Sequence, residues 1–293
     1  MQNVIRRLTI QDFHIVQAME TGIEDDYVLR IFNRLLDGSN RLFGLFHKGQ
    51  LVSIAGYSLY GSHYAMLGRL RSDLRYRGRD FSTALMQHMI EEVFKMERIQ
   101  WVGANTQENN LAAKKVLRKA GLHSYTTLYV TTTQSPSILE TGAKPWKEVH
   151  NLARKKDLIY KGYLKTYSIF PYQCYYPFPA SWELFTDENL LSWSFYENEK
   201  QNRFLITKED QKKNHYLHTI YPWDDIDQQE GLWETITADY KQLTHRTGED
   251  TYVWMDLTPS EVDKLPDYHP FELPSPWILF GISRKSWQQW EGN

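Results

Sequence analysis

At 293 residues, 41% apolar and 24% charged, the chain has the size and composition of a soluble globular protein of two domains. It holds no run of about 18 apolar residues, which argues against a membrane-spanning helix, and one cysteine, which excludes an internal disulfide or cysteine metal cluster. The net charge of −2 hides an asymmetry: residues 1–145 carry 18 Lys and Arg against 13 Asp and Glu (+5), and the rest 16 against 23 (−7), which suits a small anionic ligand in the first half rather than general nucleic-acid or membrane binding.

The opening "MQNVIRRLTIQDF" has no continuous apolar core and no small-residue cleavage site, so no signal peptide is expected and a cytoplasmic location fits. "NVIRRLTIQDF" predicts a strand and a capped helix start, and "DDYVLRIFNRLL" has apolar residues at helical spacing. "RLFGLFHKGQLVSIAGYSLYG" predicts two strands joined at "HKGQ", and "HYAMLGRLRSDL" a third. "FSTALMQHMIEEVFKM" is an amphipathic helix, "RIQWVGAN" a strand, "NLAAKKVLRKAG" a helix ending on glycine, and "HSYTTLYVTTT" a strand. Helices that join neighbouring strands predict an α/β chain with a mixed sheet, part antiparallel and part parallel. The Pro- and Gly-bearing "QSPSILETGAKPWKE" opens a linker, placed at residues 136–156 between domains of residues 1–135 and 157–293. Beyond it aromatic residues become dense, and Cys174 is read there as a packed thiol rather than a nucleophile. "LLSWSFYEN", "RFLITKED" and "HYLHTIYPW" predict a three-strand meander, followed by a helix, the strand "TYVWMDLT", a short helix and the strand "WILFGIS". That order repeats the later part of the first half. The second copy has the acidic turn "YPWDDIDQQEG" where the first has a basic one, so it is expected to hold no phosphate.

The basic turn is "YRGRDFSTALM", Tyr76 to Met86, running straight into the amphipathic helix. Backbone N–H groups at a helix start lack partners and sit at the positive end of the helix dipole, so such a turn suits a pyrophosphate. Five arginines between Arg69 and Arg79 would add cationic donors or form a solvated face. About thirty residues on, Asn110, Ala113, Leu117, Gly121 and Leu122 follow at intervals of three, four, four and one.

These paired segments resemble the GCN5-related N-acetyltransferase (GNAT) superfamily over about residues 4–133. Arg77-Gly78-Arg79-Asp80-Phe81-Ser82 stands for the family's (Gln/Arg)-x-x-Gly-x-(Gly/Ala) turn, and Asn110 to Leu122 for its second motif. The resemblance implies a GNAT fold followed by a second, degenerate GNAT-like domain. It implies acetyl-CoA as cosubstrate, no metal, and transfer of the acetyl group to a primary amine of a small molecule or peptide. By the same resemblance, the backbone of Leu70, Arg71 and Ser72 splays from its neighbour to meet the pantetheine arm. Arg77, Gly78, Arg79, Asp80, Phe81 and Ser82 wrap the pyrophosphate, and Asn110 and Ala113 line the far side. Three departures stand out, the smallest being Ser82 at the second Gly/Ala position. Asp80 replaces a glycine and puts an acid near a phosphate, unless it caps a donor or pairs with Arg77 or Arg79. Leu117 stands where many relatives carry a thiolate-protonating tyrosine.

Transfer requires a neutral amine, whose pKa is about 8 for an α-amine and about 10.4 for lysine, so a base or water chain must take a proton. The candidates are Glu24, Asp25, Asp26, His63, Tyr64 and Asp73, with Tyr125 or Tyr129 as thiolate donors; Glu24, His63 and Tyr129 are the first choices. Tryptophans of the second half, such as Trp182 and Trp254, are expected in the core, with a few free to line an acceptor pocket. The competing reading is a non-catalytic module that binds a CoA compound or another small molecule as a sensor. The sequence leaves the acceptor, the acyl-chain preference and the oligomeric state open, a homodimer included.

Overall fold

The computed structural model describes residues 3–290. They divide into one compact unit of residues 3–125 with 278–290 and another of residues 126–277; residues 1–2 and 291–293 lie outside the described part.

The first unit begins with β1 (Val4–Arg7), the short helices α1 (Phe13–Gln17) and α2 (Tyr27–Arg30), and the strands β2 (Asn40–His47), β3 (Gln50–Tyr60) and β4 (Tyr64–Ser72). These four strands pair antiparallel in chain order. Helix α3 (Phe81–Phe94) then crosses over to β5 (Trp101–Gln107), which lies parallel to β4, as a helical connection between neighbours allows. Helix α4 (Leu111–Lys119) follows. Leu85, Met86, Met89, Ile90 and Val93 form one stripe of α3, buried against Leu45, Val52 and Val102 of the sheet. On a second core, Val16, Val28, Phe32 and Leu35 pack with Leu42 and Ile54. The sheet is thus covered on both faces, which explains the near-continuous burial along β3.

The second unit contains β6 (His123–Thr133), β7 (Lys147–Glu148), α5 (Leu152–Ile159), the hairpin β8 (Ile169–Gln173) and β9 (Tyr176–Pro179), and α6 (Asp187–Ser192). Next come β10 (Ser194–Glu197), β11 (Phe204–Gln211), β12 (His215–Ile220), α7 (Leu232–Thr247), β13 (Thr251–Leu257) and α8 (Pro259–Val262). The meander β10–β11–β12 is antiparallel, and α7 carries the chain to β13, parallel to β12. This repeats the order and pairing of β2–β3–β4–α3–β5 in the first unit, the structural repeat expected from the sequence.

Two boundaries differ from the sequence reading. The segment 136–156 is no free linker: β7 pairs with β10, and Lys155 of α5 is buried, donating to the carbonyls of Leu190 and Trp193. The last strand, β14 (Trp277–Ser283), lies beside β5, and it is followed by α9 (Arg284–Trp290). Residues from 278 onward therefore belong to the first unit rather than to the second domain. Five consecutive buried residues, Ile278–Ile282, mark β14 as a central strand, covered on both faces. Phe280, Ile282 and Trp287 enter the α3 core, and the Arg284 guanidinium donates to the carbonyls of Ile99 and Met96. Gly103 and Gly281 leave room for the flat indole of Trp101: a Cβ would stand 1.9 Å from it at Gly103 and 2.1 Å at Gly281.

Candidate cofactor site

The site forms where β4 and β5 part. They pair from Tyr64–Trp101 to Leu67–Ala104, and then β4 runs on to Ser72 and β5 to Gln107. The pairing of β3 with β4 shifts register opposite Gly68–Arg71, and Arg69 takes a left-handed backbone with φ 57°. This is a bulge, which re-aims the end of a strand.

Three polar contacts fix that end. Asp73 is buried, and its carboxylate accepts from Arg75 Nε (2.9 Å), Arg75 Nη2 (2.6 Å) and the Glu20 backbone N–H (3.3 Å). Those bonds, led by the Arg75 guanidinium, hold its carboxyl down to about 2. Arg71 donates from Nε and Nη2 to Asp26 at 2.6 and 2.7 Å, tying β4 to the loop before α2. Burial would raise the Asp26 carboxyl, but Arg71 and the Val28 N–H outweigh it and keep it below its ordinary value. Ser72 Oγ lies 2.5 Å from Ser82 Oγ, joining β4 to the first turn of α3.

The turn before α3 has two residues in the left-handed region, Gly78 (φ 79°) and Asp80 (φ 55°). Asp80 is the residue preceding α3, and its side chain caps no N–H of that helix. It pairs with neither Arg77 nor Arg79, but accepts from Lys119 Nζ of α4 at 2.6 Å. Lys119, and then Lys115, hold its carboxyl below the ordinary value. Arg77 donates to the Thr21 carbonyl, and Arg79 lies 5.6 Å from the Tyr76 ring centroid.

All the residues assigned to the cofactor in sequence line one cleft of about 550 Å³: Leu70, Arg71 and Ser72 of β4, Arg77 to Ser82 of the turn, and Asn110 and Ala113 of α4. Asn110 also caps α4, its side chain accepting from the Ala113 N–H at 3.0 Å. Thr21, Ile23, Tyr76, Lys115 and Lys119 line the cleft as well and were missed. The two lysines are legible once α4 is a helix, because residues 112, 115, 116 and 119 share one face. Leu117 points the other way, into the α3 core, so α4 offers no phenol at that position.

The proposed acid–base groups are not gathered so well. Glu24 is exposed in the turn between Ile23, which lines the cleft, and α2. His63 precedes β4, eight residues before Arg71; at about 3.3 Å per strand residue it stands roughly 26 Å from the cleft end. Tyr64, the first residue of β4, stands at the same far end. Asp73 and Asp26 are committed to arginines. Tyr129 lies on β6 opposite Leu257 in the second unit, and Tyr125 is half-exposed against Trp101. Cys174 is buried and burial pushes its thiol up, so it is no nucleophile. Trp193, Trp233 and Trp254 are core residues, while Trp182 is exposed. Among the described residues no group of three or more His, Cys, Asp or Glu could hold a metal, and no helix is long and apolar enough to cross a membrane.

In the second unit the equivalent helix start is filled by the chain itself. The Glu234 carboxylate in the first turn of α7 accepts from the Thr141 N–H (2.7 Å), Thr141 Oγ1 (3.0 Å) and the Ala143 N–H (3.0 Å). The Trp146 indole donates to the Glu230 carbonyl, and a Cβ on Gly231 would stand 2.2 Å from the Lys144 carbonyl. Asp225 is bound to Arg203 and Tyr221, and Asp224 to Lys264. An anion would meet both a carboxylate and a packed backbone there.

The profile described as Acetyltransferase (GNAT) family matches residues 6–122. A GCN5-related N-acetyltransferase from Sphaerobacter thermophilus is similar with a TM-score of 0.55 at 12% identity, over 96% of this chain and 95% of that one. A chain from Thermoplasma acidophilum assigned as an acetyltransferase is similar with a TM-score of 0.51 at 15% identity, over 96% and 99%. At these identities the likeness concerns the fold alone. No curated protein matches the chain. What the family model shows is therefore confined to residues 6–122, a domain of the acetyltransferase (GNAT) family that contains β4, the turn before α3, and α4.

Proposed function

We propose that the protein transfers the acetyl group of acetyl-CoA directly to a primary amine of a small molecule or peptide. The observation that carries this reading is that both motifs and the end of β4 line one cleft beside the parting of β4 and β5. The residues fit the cosubstrate chemically: unpaired N–H groups at the start of a fourteen-residue helix, with Arg77, Arg79, Lys115 and Lys119 around them, suit a diphosphate. When bound, acetyl-CoA supplies an activated acyl carbon. The chain's part is to hold the phosphates at residues 77–82 and to present the backbone of Leu70–Ser72 to the pantetheine arm and thioester. Orientation of this kind is worth several kcal/mol of barrier. The incoming amine must shed a proton, and Glu24 or water reached through its turn is the acceptor consistent with the exposed loop. Cys174 is buried and does not line the cleft, which supports direct transfer over a cysteine acyl-enzyme. We place the reaction in the cytoplasm.

One observation favours a second reading, a CoA-binding sensor without turnover: α4 presents no phenol to the cleft, and Asp80 puts an acid in it. Thiol release from acetyl-CoA, measured against amino acids, polyamines, aminoglycosides and peptides, separates the two. Release with any acceptor, abolished by Arg77→Ala with Arg79→Ala, supports transfer. Silence across the panel with CoA bound supports the sensor.

A further inference from the structure

Resting on the reading above, we propose that Lys119 is a phosphate ligand of the cosubstrate, held in reserve by Asp80. The pair acts as a latch: Lys119 leaves Asp80 for a phosphate of the incoming CoA. The two residues come from different elements, Asp80 before α3 and Lys119 at the last residue of α4, and both line the cleft. Their ion pair, 2.6 Å long, therefore joins the turn before α3 to α4 within the cleft lining, beside the helix start proposed for the diphosphate. Both side chains are well exposed, Asp80 at 66% and Lys119 at 43%. A pair of that kind is weakly held and exchanges readily for a better anion. Asp80 makes no capping bond to α3, so no helix contact holds its side chain in place. The diphosphate carries two charges in all against the carboxylate's one, and would meet the α3 N–H groups that Asp80 leaves uncapped. The acid at a glycine position thus has a role that its charge alone hides. It lowers affinity for every phosphate-bearing donor by occupying the lysine, and it leaves donors without phosphate untouched.

The test is a double-mutant cycle read by calorimetry on the full chain, with Asp80→Asn, Lys119→Ala and both together, titrated with CoA. Asparagine tolerates the left-handed backbone of residue 80, so the first variant keeps the turn. The expected result is that Asp80→Asn tightens CoA binding about three- to tenfold when Lys119 is present. With alanine at 119 the gain should shrink about two- to fivefold, because no pair remains to be broken. S-Acetylpantetheine, which has no phosphate, should show none of these changes. Strict additivity of the two substitutions would mean that the pair stays closed on binding, and would overturn the latch. So would equal changes with S-acetylpantetheine. If wild-type chain fails to bind CoA at all, the cofactor reading fails first, and the latch falls with it.

Discussion

Phe280 stands some 160 residues along the chain from α4, yet it is fully buried in the α3 core of the first unit. Sequence order would assign it to the other domain, so Phe280→Ala is a sharp test of the architecture. Its ring packs in a core with Val93, Val102 and Leu122, and the Arg118 guanidinium lies 5.8 Å from its centroid. Truncating a buried phenylalanine costs about 3–5 kcal/mol, the transfer of its carbons plus the cavity left behind. A domain of this size has about 5–15 kcal/mol in hand, so roughly a fifth or more of the stability should go. At about 3 °C per kcal/mol the melting temperature should fall by roughly 10 °C. Hydrogen exchange read by mass spectrometry locates the loss. Peptides covering α3 and β5 should exchange faster, by a larger factor than those of α7 and β13. A loss under about 1 kcal/mol, or one concentrated in α7 and β13, would refute the assignment of β14 to the first unit. A fragment that stops near residue 145 should likewise fail to fold, since it lacks β14 and α9.

Asp73→Asn should destabilise the chain by about 1–2 kcal/mol at neutral pH, since its partner Arg75 is largely exposed and screened. The folded carboxyl lies at about 2 against an ordinary 3.8, so its contribution is complete above about pH 4 and is lost as pH falls through about 2. The gap between wild type and variant in denaturant melts should close over that window, and a gap that widens toward acid would contradict the assignment. Asp26→Ala removes one partner of a pair whose side chains are 7% and 13% exposed, and should cost about 3 kcal/mol by thermal melting. Glu234→Ala strips three acceptor bonds from residues 141–143 and should speed amide exchange there, with no gain of CoA binding in the second unit. Unchanged exchange at those residues would show that the segment is held by something else.

What the sequence displayed well was what depends on period and spacing. The α3 stripe, the strands on either side of the "HKGQ" turn, and the two motifs that meet in the cleft follow from local pattern. So does the repeat of strand, helix and strand in the second half. What it hid was the choice of neighbour. β14 reads as an apolar strand, but nothing in "WILFGIS" says which of two similar sheets it completes. Asp80 was visible as an acid in the wrong place, but its partner Lys119 lies 39 residues away, on a helix face that had to be built first. His63 looked near the chemistry because it is close in sequence to Arg71, and an extended strand separates them. The segment 136–156 had linker composition, and became structure because Glu234 and Thr235 supply acceptors for its backbone N–H groups.

The central claim is that acetyl-CoA binds the cleft at the start of α3. Hydrogen exchange of the full chain with and without acetyl-CoA tests it directly, because the ligands proposed are backbone amides. The account predicts that amides of residues 77–82 slow on addition of acetyl-CoA, along with those at the start of α4, and that the start of α7 does not change. No protection at residues 77–82 under saturating acetyl-CoA, or protection at residues 231–235 instead, would contradict it.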